Sequence, residues 1–187
     1  MNFVILNGSA RANGNTFLLL SRLVNYFKDS DVNTEIINIS DKKINFCLGC
    51  HHCEKTRACI QSDGVDEIYD SFKKADLICV ASPSYWGDVT GQLKTFFDRS
   101  TSYCNTIDNR TTFPAGKHSC SIALRAGSAK SESEQVISSI KHYFSHLEIK
   151  HQFSATFEGI RSEEDLNTTS VEQKLKEFSK RVVQIRA

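Results

Sequence analysis

Residues 1–20 read MNFVILNGSARANGNTFLLL. The run Phe3-Val4-Ile5-Leu6 is apolar without alternation, as expected of a strand buried on both faces. It breaks into a small polar elbow, Asn7 to Thr16, with two glycines and one arginine. Beyond the elbow Phe17, Leu20, Leu23, Val24 and Phe27 recur at three- and four-residue steps. That spacing predicts an amphipathic helix over 16–28.

The alternation continues to the end of the chain. After the first strand, Asn2–Leu6, apolar runs predict further strands at Glu35–Ile39, Asp76–Ala81, Lys117–Arg125 and Ile149–Phe157. Helical spacing predicts helices at Val65–Lys74, Val89–Arg99, Glu132–Leu147 and Val171–Ile185. A cysteine-rich irregular loop spans 45–63, and a polar excursion spans 100–117. No repeat, low-complexity tract or linker interrupts the 187 residues, so the expectation is one α/β domain over 1–187. Apolar strands alternating with helices imply a parallel sheet covered on both faces. Five strands suit a flavodoxin-like doubly wound sheet, order 2-1-3-4-5. A ligand of such a sheet sits beyond the carboxyl ends of the strands, where the winding reverses. Here that rim consists of the loops Asn7–Thr16, Ser82–Asp88 and Arg125–Lys130.

The totals narrow the function. With 23 basic and 22 acidic side chains the net charge is +1, so nothing steers the chain toward nucleic acid or an anionic membrane. The balance also differs from the acidic docking face of small electron carriers. No apolar run is long enough for a membrane span, and the first residues lack a signal peptide's pattern. The expected location is the cytoplasm. Seven cysteines, an odd number, with four of them between residues 47 and 59, do not suggest a disulfide framework. Cys79, Cys104 and Cys120 read as small buried or loop residues.

The first loop is suited to an anion. Gly8 and Gly14 allow tight turning, Ser9, Asn15 and Thr16 donate hydrogen bonds, and Arg11 adds charge at a helix start. The spacing matches neither a nucleotide triphosphatase loop nor the dinucleotide turn. The plainer alternative is a polar turn in which Asn15 or Thr16 caps the helix. The second loop, Ser82-Pro83-Ser84-Tyr85-Trp86-Gly87-Asp88, places the chain's one tryptophan beside a tyrosine. Flat aromatics there suit a planar heterocycle, or else they fill a subunit interface or a gap in the core. The third loop, Arg125-Ala126-Gly127-Ser128, is a small-residue turn before a helix. Asp98 and Arg99, adjacent at a helix end, read as a structural ion pair or cap.

Gly8-Ser9-x-Arg11…Asn15-Thr16, Ser82-Pro83-x-Tyr85-Trp86-Gly87 and Lys94-x-Phe96-Phe97-Asp98-Arg99 together resemble the NAD(P)H-dependent FMN reductase family of flavodoxin-like proteins. The resemblance implies that Ser9, Arg11, Asn15 and Thr16 bind the FMN phosphate. It places the isoalloxazine against Pro83, Ser84, Tyr85, Trp86, Gly87 and Asp88, with Arg125, Ala126, Gly127 and Ser128 at its other edge. It also implies a homodimer or homotetramer in which a partner subunit closes the flavin site.

Cys47-x2-Cys50-x2-Cys53-x5-Cys59 is the sharpest local pattern. Sulfurs so spaced can turn toward one centre and hold an iron–sulfur cluster or a zinc ion. The motif resembles that of the iron–sulfur flavoproteins, a branch of the same family in which a [4Fe–4S] cluster relays electrons to FMN. Free or redox-active thiols are the reading favoured over a [4Fe–4S] cluster, and either over zinc. His51 and His52, between the cysteines, read as incidental surface residues, and Asp63 as a helix cap.

The expected function is that of an FMN-dependent oxidoreductase. NAD(P)H reduces the flavin, and a quinone, nitro compound, free flavin or protein acceptor is reduced in turn. The alternatives are an iron–sulfur flavoprotein or flavodoxin-type electron carrier without NAD(P)H activity, and a metal- or partner-binding regulatory module. No residue is singled out as a catalytic acid or base.

Overall fold

The computed structural model describes residues 1–185. Five strands, β1 (Asn2–Asn7), β2 (Asn33–Asn38), β3 (Leu77–Pro83), β4 (His118–Leu124) and β5 (Lys150–Phe157), form one parallel sheet. Its order is β2-β1-β3-β4-β5, as the alternation predicts. The helices are α1 (Asn15–Asn25), α2 (His52–Thr56), α3 (Gly64–Lys74), α4 (Gly91–Asp98), α5 (Lys130–His146) and α6 (Thr169–Gln184).

Side-chain alternation along each strand feeds two cores. Phe3 and Ile5 point to one face with Leu19, Leu20 and Leu23 of α1 and Leu175, Phe178 and Val182 of α6. Val4 and Leu6 point to the other, against Ile68 and Phe72 of α3, Leu93 and Phe96 of α4, and Ile140 of α5. Both faces of β1 and β3 are therefore covered, which explains their unbroken apolar runs. The connection after β1 places α1 on one face, and the next crossover places α3 on the opposite face. The winding thus reverses between β1 and β3, and the loops there open onto one rim.

The structure departs from the sequence reading in the cysteine segment, which is not wholly irregular. A short helix, α2, runs through it, entered at His51 and left at Arg57, both at φ 57°. The excursion after α4 is not merely a polar loop, because its own Cys104, Ile107 and Phe113 are buried. Arg57 fastens the two segments together by donating to the carbonyls of Cys104 (3.1 Å), Ile107 (2.5 Å) and Arg110 (3.0 Å). Cys79, Cys104 and Cys120 are buried, as expected. Among the described residues no helix is long and apolar enough to cross a membrane.

Candidate functional site

The three rim loops converge because their strands end side by side. Asn7 is in register with Ala81, and Pro83 with Leu124. The Gly8 amide donates to the Ala81 carbonyl at 2.7 Å, and the Ser84 amide to the Leu124 carbonyl at 2.7 Å. Thr90 Oγ1 donates to the Gly8 carbonyl at 2.5 Å and accepts from the Leu93 amide, so one buried hydroxyl ties the first loop to the start of α4. A Cβ on Gly8 would meet the Leu93 side chain at 2.6 Å and the Ala81 carbonyl oxygen at 2.9 Å, which requires glycine at this crossing.

The first loop wraps the start of α1. Ser9 and Thr16 are buried, Asn15 is half-buried and Arg11 is exposed. Ser9 Oγ accepts from the Arg11 amide at 3.1 Å. Neither Asn15 nor Thr16 caps α1. The cap position is Gly14, which makes no side-chain capping bond. By contrast Asp63, Thr90 and Thr168 cap α3, α4 and α6 with their side chains. The first amides of α1 therefore keep their partial positive charge for another acceptor. The Arg11 guanidinium folds over this end, and a Cβ at Gly14 would lie 3.2 Å from its Nε. Among the described residues the guanidinium has no hydrogen-bond or ion-pair partner.

In the second loop Tyr85 and Asp88 exchange backbone hydrogen bonds of 2.9 and 3.1 Å around Trp86 and Gly87. Both central residues have positive φ, 56° and 78°, which makes a tight hairpin turn. Trp86 at its tip is fully exposed and Tyr85 is 45% exposed, so neither fills a gap in the core. Asp88 turns its carboxylate to its own loop and to α5, accepting from the Val89 amide and from Ser139 Oγ. Ser84 Oγ is buried with no hydrogen-bond partner, a polar atom that a bound group would satisfy.

The third loop is shaped by Arg125 itself. Its guanidinium pairs with Glu132 at 2.9 Å, donates to the Ala129 carbonyl at 3.0 Å and lies over Gly127. The amide of Gly159 donates to the Gly127 carbonyl, and Arg161 Nε to that of Ala126 at 3.3 Å. Ala126 and Ser128 remain exposed at the rim.

All four clustered cysteines, Cys47, Cys50, Cys53 and Cys59, line one cavity of about 210 Å³. His51, Gln61, Asp98, Arg99 and Thr101 complete part of its wall. His51 is exposed and paired with Glu54 at 2.8 Å. Burial pushes the Cys53 thiol up, while its backbone hydrogen bond acts against that. Among the described residues no three His, Cys, Asp or Glu side chains stand close enough to hold a single metal ion. Zinc would need sulfurs about 3.8 Å apart, from a Zn–S bond of ~2.3 Å in a tetrahedron. Four thiols around one cavity match in number and kind the four thiolates that an iron–sulfur cluster takes.

The loop's base is set by a structural ion pair, in keeping with the reading of Asp98 and Arg99 as an ion pair or cap at the helix end. Arg99 does not pair with Asp98, which binds Lys94 at 2.5 Å instead. Arg99 pairs with Asp63 at 2.7 Å, with side chains only 1% and 6% exposed. It also donates to the carbonyls of Asn45 (2.8 Å) and Gln61 (3.1 Å), one on each side of the cysteine segment. Burial would raise the Asp63 carboxyl. Hydrogen bonds from Arg99 and from the Asn45 and Val65 amides outweigh it and hold the group below its ordinary value. Asp63 does cap α3, as expected, by accepting from the Val65 amide. Thr90, Arg57 and the Asp63–Arg99 pairing are the parts the sequence reading missed. Thr90 alone carried a signal, as a threonine just before an apolar helical run.

Fold and rim together define a doubly wound, flavodoxin-like protein with its ligand loops at the switch point of the sheet. The family model for NADPH-dependent FMN reductase matches residues 1–160, and the chain belongs to that family. It is 41% identical over 100 residues to an iron–sulfur flavoprotein of Methanocaldococcus jannaschii, covering 54% of this chain and 52% of the relative. It is 31% identical over 148 residues to an iron–sulfur flavoprotein of Methanosarcina thermophila, covering 79% of this chain and 74% of the relative. Several such matches span only about half the length of the curated relative. In fold, the chain is similar to an NAD(P)H:quinone oxidoreductase from Methanothermobacter marburgensis, with TM-score 0.73 and 13% identity over 100% of this chain and 98% of that one.

Proposed function

We propose that this chain is an FMN-dependent redox protein that accepts electrons from NAD(P)H and passes them to a quinone, nitro compound, flavin or protein acceptor. The observation that carries this reading is the partnerless Arg11 guanidinium folded over the uncapped start of α1, at the rim where three loops meet. A phosphate monoester suits that place, since helix amides and a guanidinium both favour it. The partnerless Ser84 Oγ supports a polar ring edge at the second loop. Ser9, Arg11, Asn15 and Thr16 would hold the phosphate end. Pro83 to Asp88 and Ala126 to Ser128 would border the ring, with Arg125 bracing its own loop. Bound FMN supplies hydride acceptance and onward electron transfer, so these residues bind and orient rather than donate protons.

The cysteine cavity supports a second redox centre. Cys47, Cys50, Cys53 and Cys59 would ligate a [4Fe–4S] cluster, which supplies one-electron transfer. Relatives named iron–sulfur flavoproteins favour this over the free thiols that the sequence alone suggests. The fully exposed Trp86 at the hairpin tip supports closure of the rim by a second copy, giving a homodimer or homotetramer.

The test is turnover. Purified chain with FMN, given NADH or NADPH and a quinone, should oxidise the nicotinamide at a steady rate. A flavin that binds but stays oxidised with both donors would refute the reductase reading and leave an electron carrier.

A further inference from the structure

The guanidinium of Arg99 has five N–H donors. Four are engaged: Nη1 bonds the Asn45 carbonyl and Asp63 Oδ2, and Nη2 bonds the Gln61 carbonyl and Asp63 Oδ1. The fifth, Nε–H, is buried and has no partner. The side chain carrying it lines the cavity of the four cysteines. Cys59 lines the same cavity wall as Arg99, and Asp63 and Cys59 both act to hold the guanidinium's proton against the opposing effect of burial. A donor left over from an otherwise saturated buried guanidinium, beside a sulfur, is incomplete without a ligand in that cavity.

We propose that Arg99 is a positioning residue for the cysteine-bound cluster: its Nε–H donates a hydrogen bond to the Cys59 sulfur when that sulfur is a cluster ligand. The inference rests on the cluster reading above and deepens it. Two consequences follow from the geometry. First, the same side chain fixes Asn45 and Gln61, the two ends of the segment that carries all four thiols, so the cavity is held open before any iron arrives. Second, hydrogen bonds to cluster sulfurs raise the reduction potential, because reduction adds negative charge that the donor stabilises. Asp63 offsets the arginine's full charge, so the hydrogen bond itself does the tuning.

Arg99→Lys keeps a positive charge opposite Asp63 but has no Nε–H. The anaerobically loaded variant should show a cluster potential moved to more negative values by a tenfold change in the reduced-to-oxidised ratio, which is about 59 mV for one electron. A purely structural role would lower iron loading and leave the potential of the loaded fraction unchanged, and that result overturns the proposal. Should the variant not load, the wild-type protein decides. With 15N-labelled arginine, electron–nuclear double resonance on the reduced cluster should show coupling to one arginine nitrogen. A cluster that forms without that coupling overturns the inference and leaves the cluster reading standing. Wild-type protein that takes up no iron removes both.

Discussion

Asp63→Ala is the sharpest probe of how the cysteine segment is held. The carboxylate is nearly buried and accepts from Arg99 twice, from the amides of Asn45 and Val65, and from Asn45 Nδ2. Truncation leaves a guanidinium that is 1% exposed without its counter-charge. Breaking one side of such a buried pair costs about 3–5 kcal/mol, and that figure here includes the α3 cap, itself worth about 1 kcal/mol. Total stability of such a chain is about 5–15 kcal/mol, so the variant sits near the edge of folding. Urea unfolding of the metal-free chain reads this directly. With a slope of about 2 kcal/mol/M, the midpoint should fall by about 1.5–2.5 M. Asp63→Asn keeps a good capping residue and should lose about 1 kcal/mol less. The reasoning is refuted if Asp63→Ala costs under about 1 kcal/mol, the worth of an exposed ion pair.

Other outcomes are as specific. Arg11→Ala removes the free guanidinium at the α1 terminus and should weaken FMN binding by about 10- to 100-fold, from about 1.5–3 kcal/mol per charged hydrogen bond. A flavin titration showing unchanged affinity would count against the phosphate assignment. Gly8→Ala forces a Cβ against Leu93 and the Ala81 carbonyl, and should cost about 1–3 kcal/mol in thermal or urea unfolding. A fully stable variant would mean that the crossing of the first loop over β3 is looser than described. His151 lies among the hydroxyls of Ser119, Ser121 and Ser154. Burial first, then the charge of Lys141, lowers its pKa to about 4. The unfolded imidazole takes its proton near ~6.5, so the unfolded state binds more protons between the two values. Stability should therefore fall as pH drops through that window, and His151→Gln should remove that part of the slope. An identical pH profile for the variant would exclude His151 as its source.

The fold was legible where both sheet faces impose one demand. The unbroken apolar runs of β1 and β3 identified the central strands, and the three- and four-residue steps identified five of the six helices. Helix α2 was hidden because two non-glycine residues, His51 and Arg57, adopt the left-handed turns that bound it. Left-handed turns announce themselves in sequence mainly through glycine or asparagine. The Trp86–Gly87 turn was hidden for the same reason, since only its second residue is the expected one. Asp63 and Arg99 lie 36 residues apart, and sequence offers no register between two loops. Arg99 is therefore legible as a structural ion-pair or cap residue, but its partner is not. The rim loops could be placed together because strand order alone determines which strand ends are adjacent. Which of their side chains are free was not legible. Arg11 and Arg125 look alike in sequence, yet Glu132 and the Ala129 carbonyl hold only the second.

The account rests on one chain holding a flavin at the rim of its sheet and a cluster in its cysteine cavity. Protein purified without air, supplied with FMN, iron and sulfide and then desalted, should retain one FMN and about four iron atoms per chain. Its visible spectrum should show flavin bands over a broad brown shoulder that bleaches on reduction. A protein that emerges colourless, with neither group retained, would contradict the account.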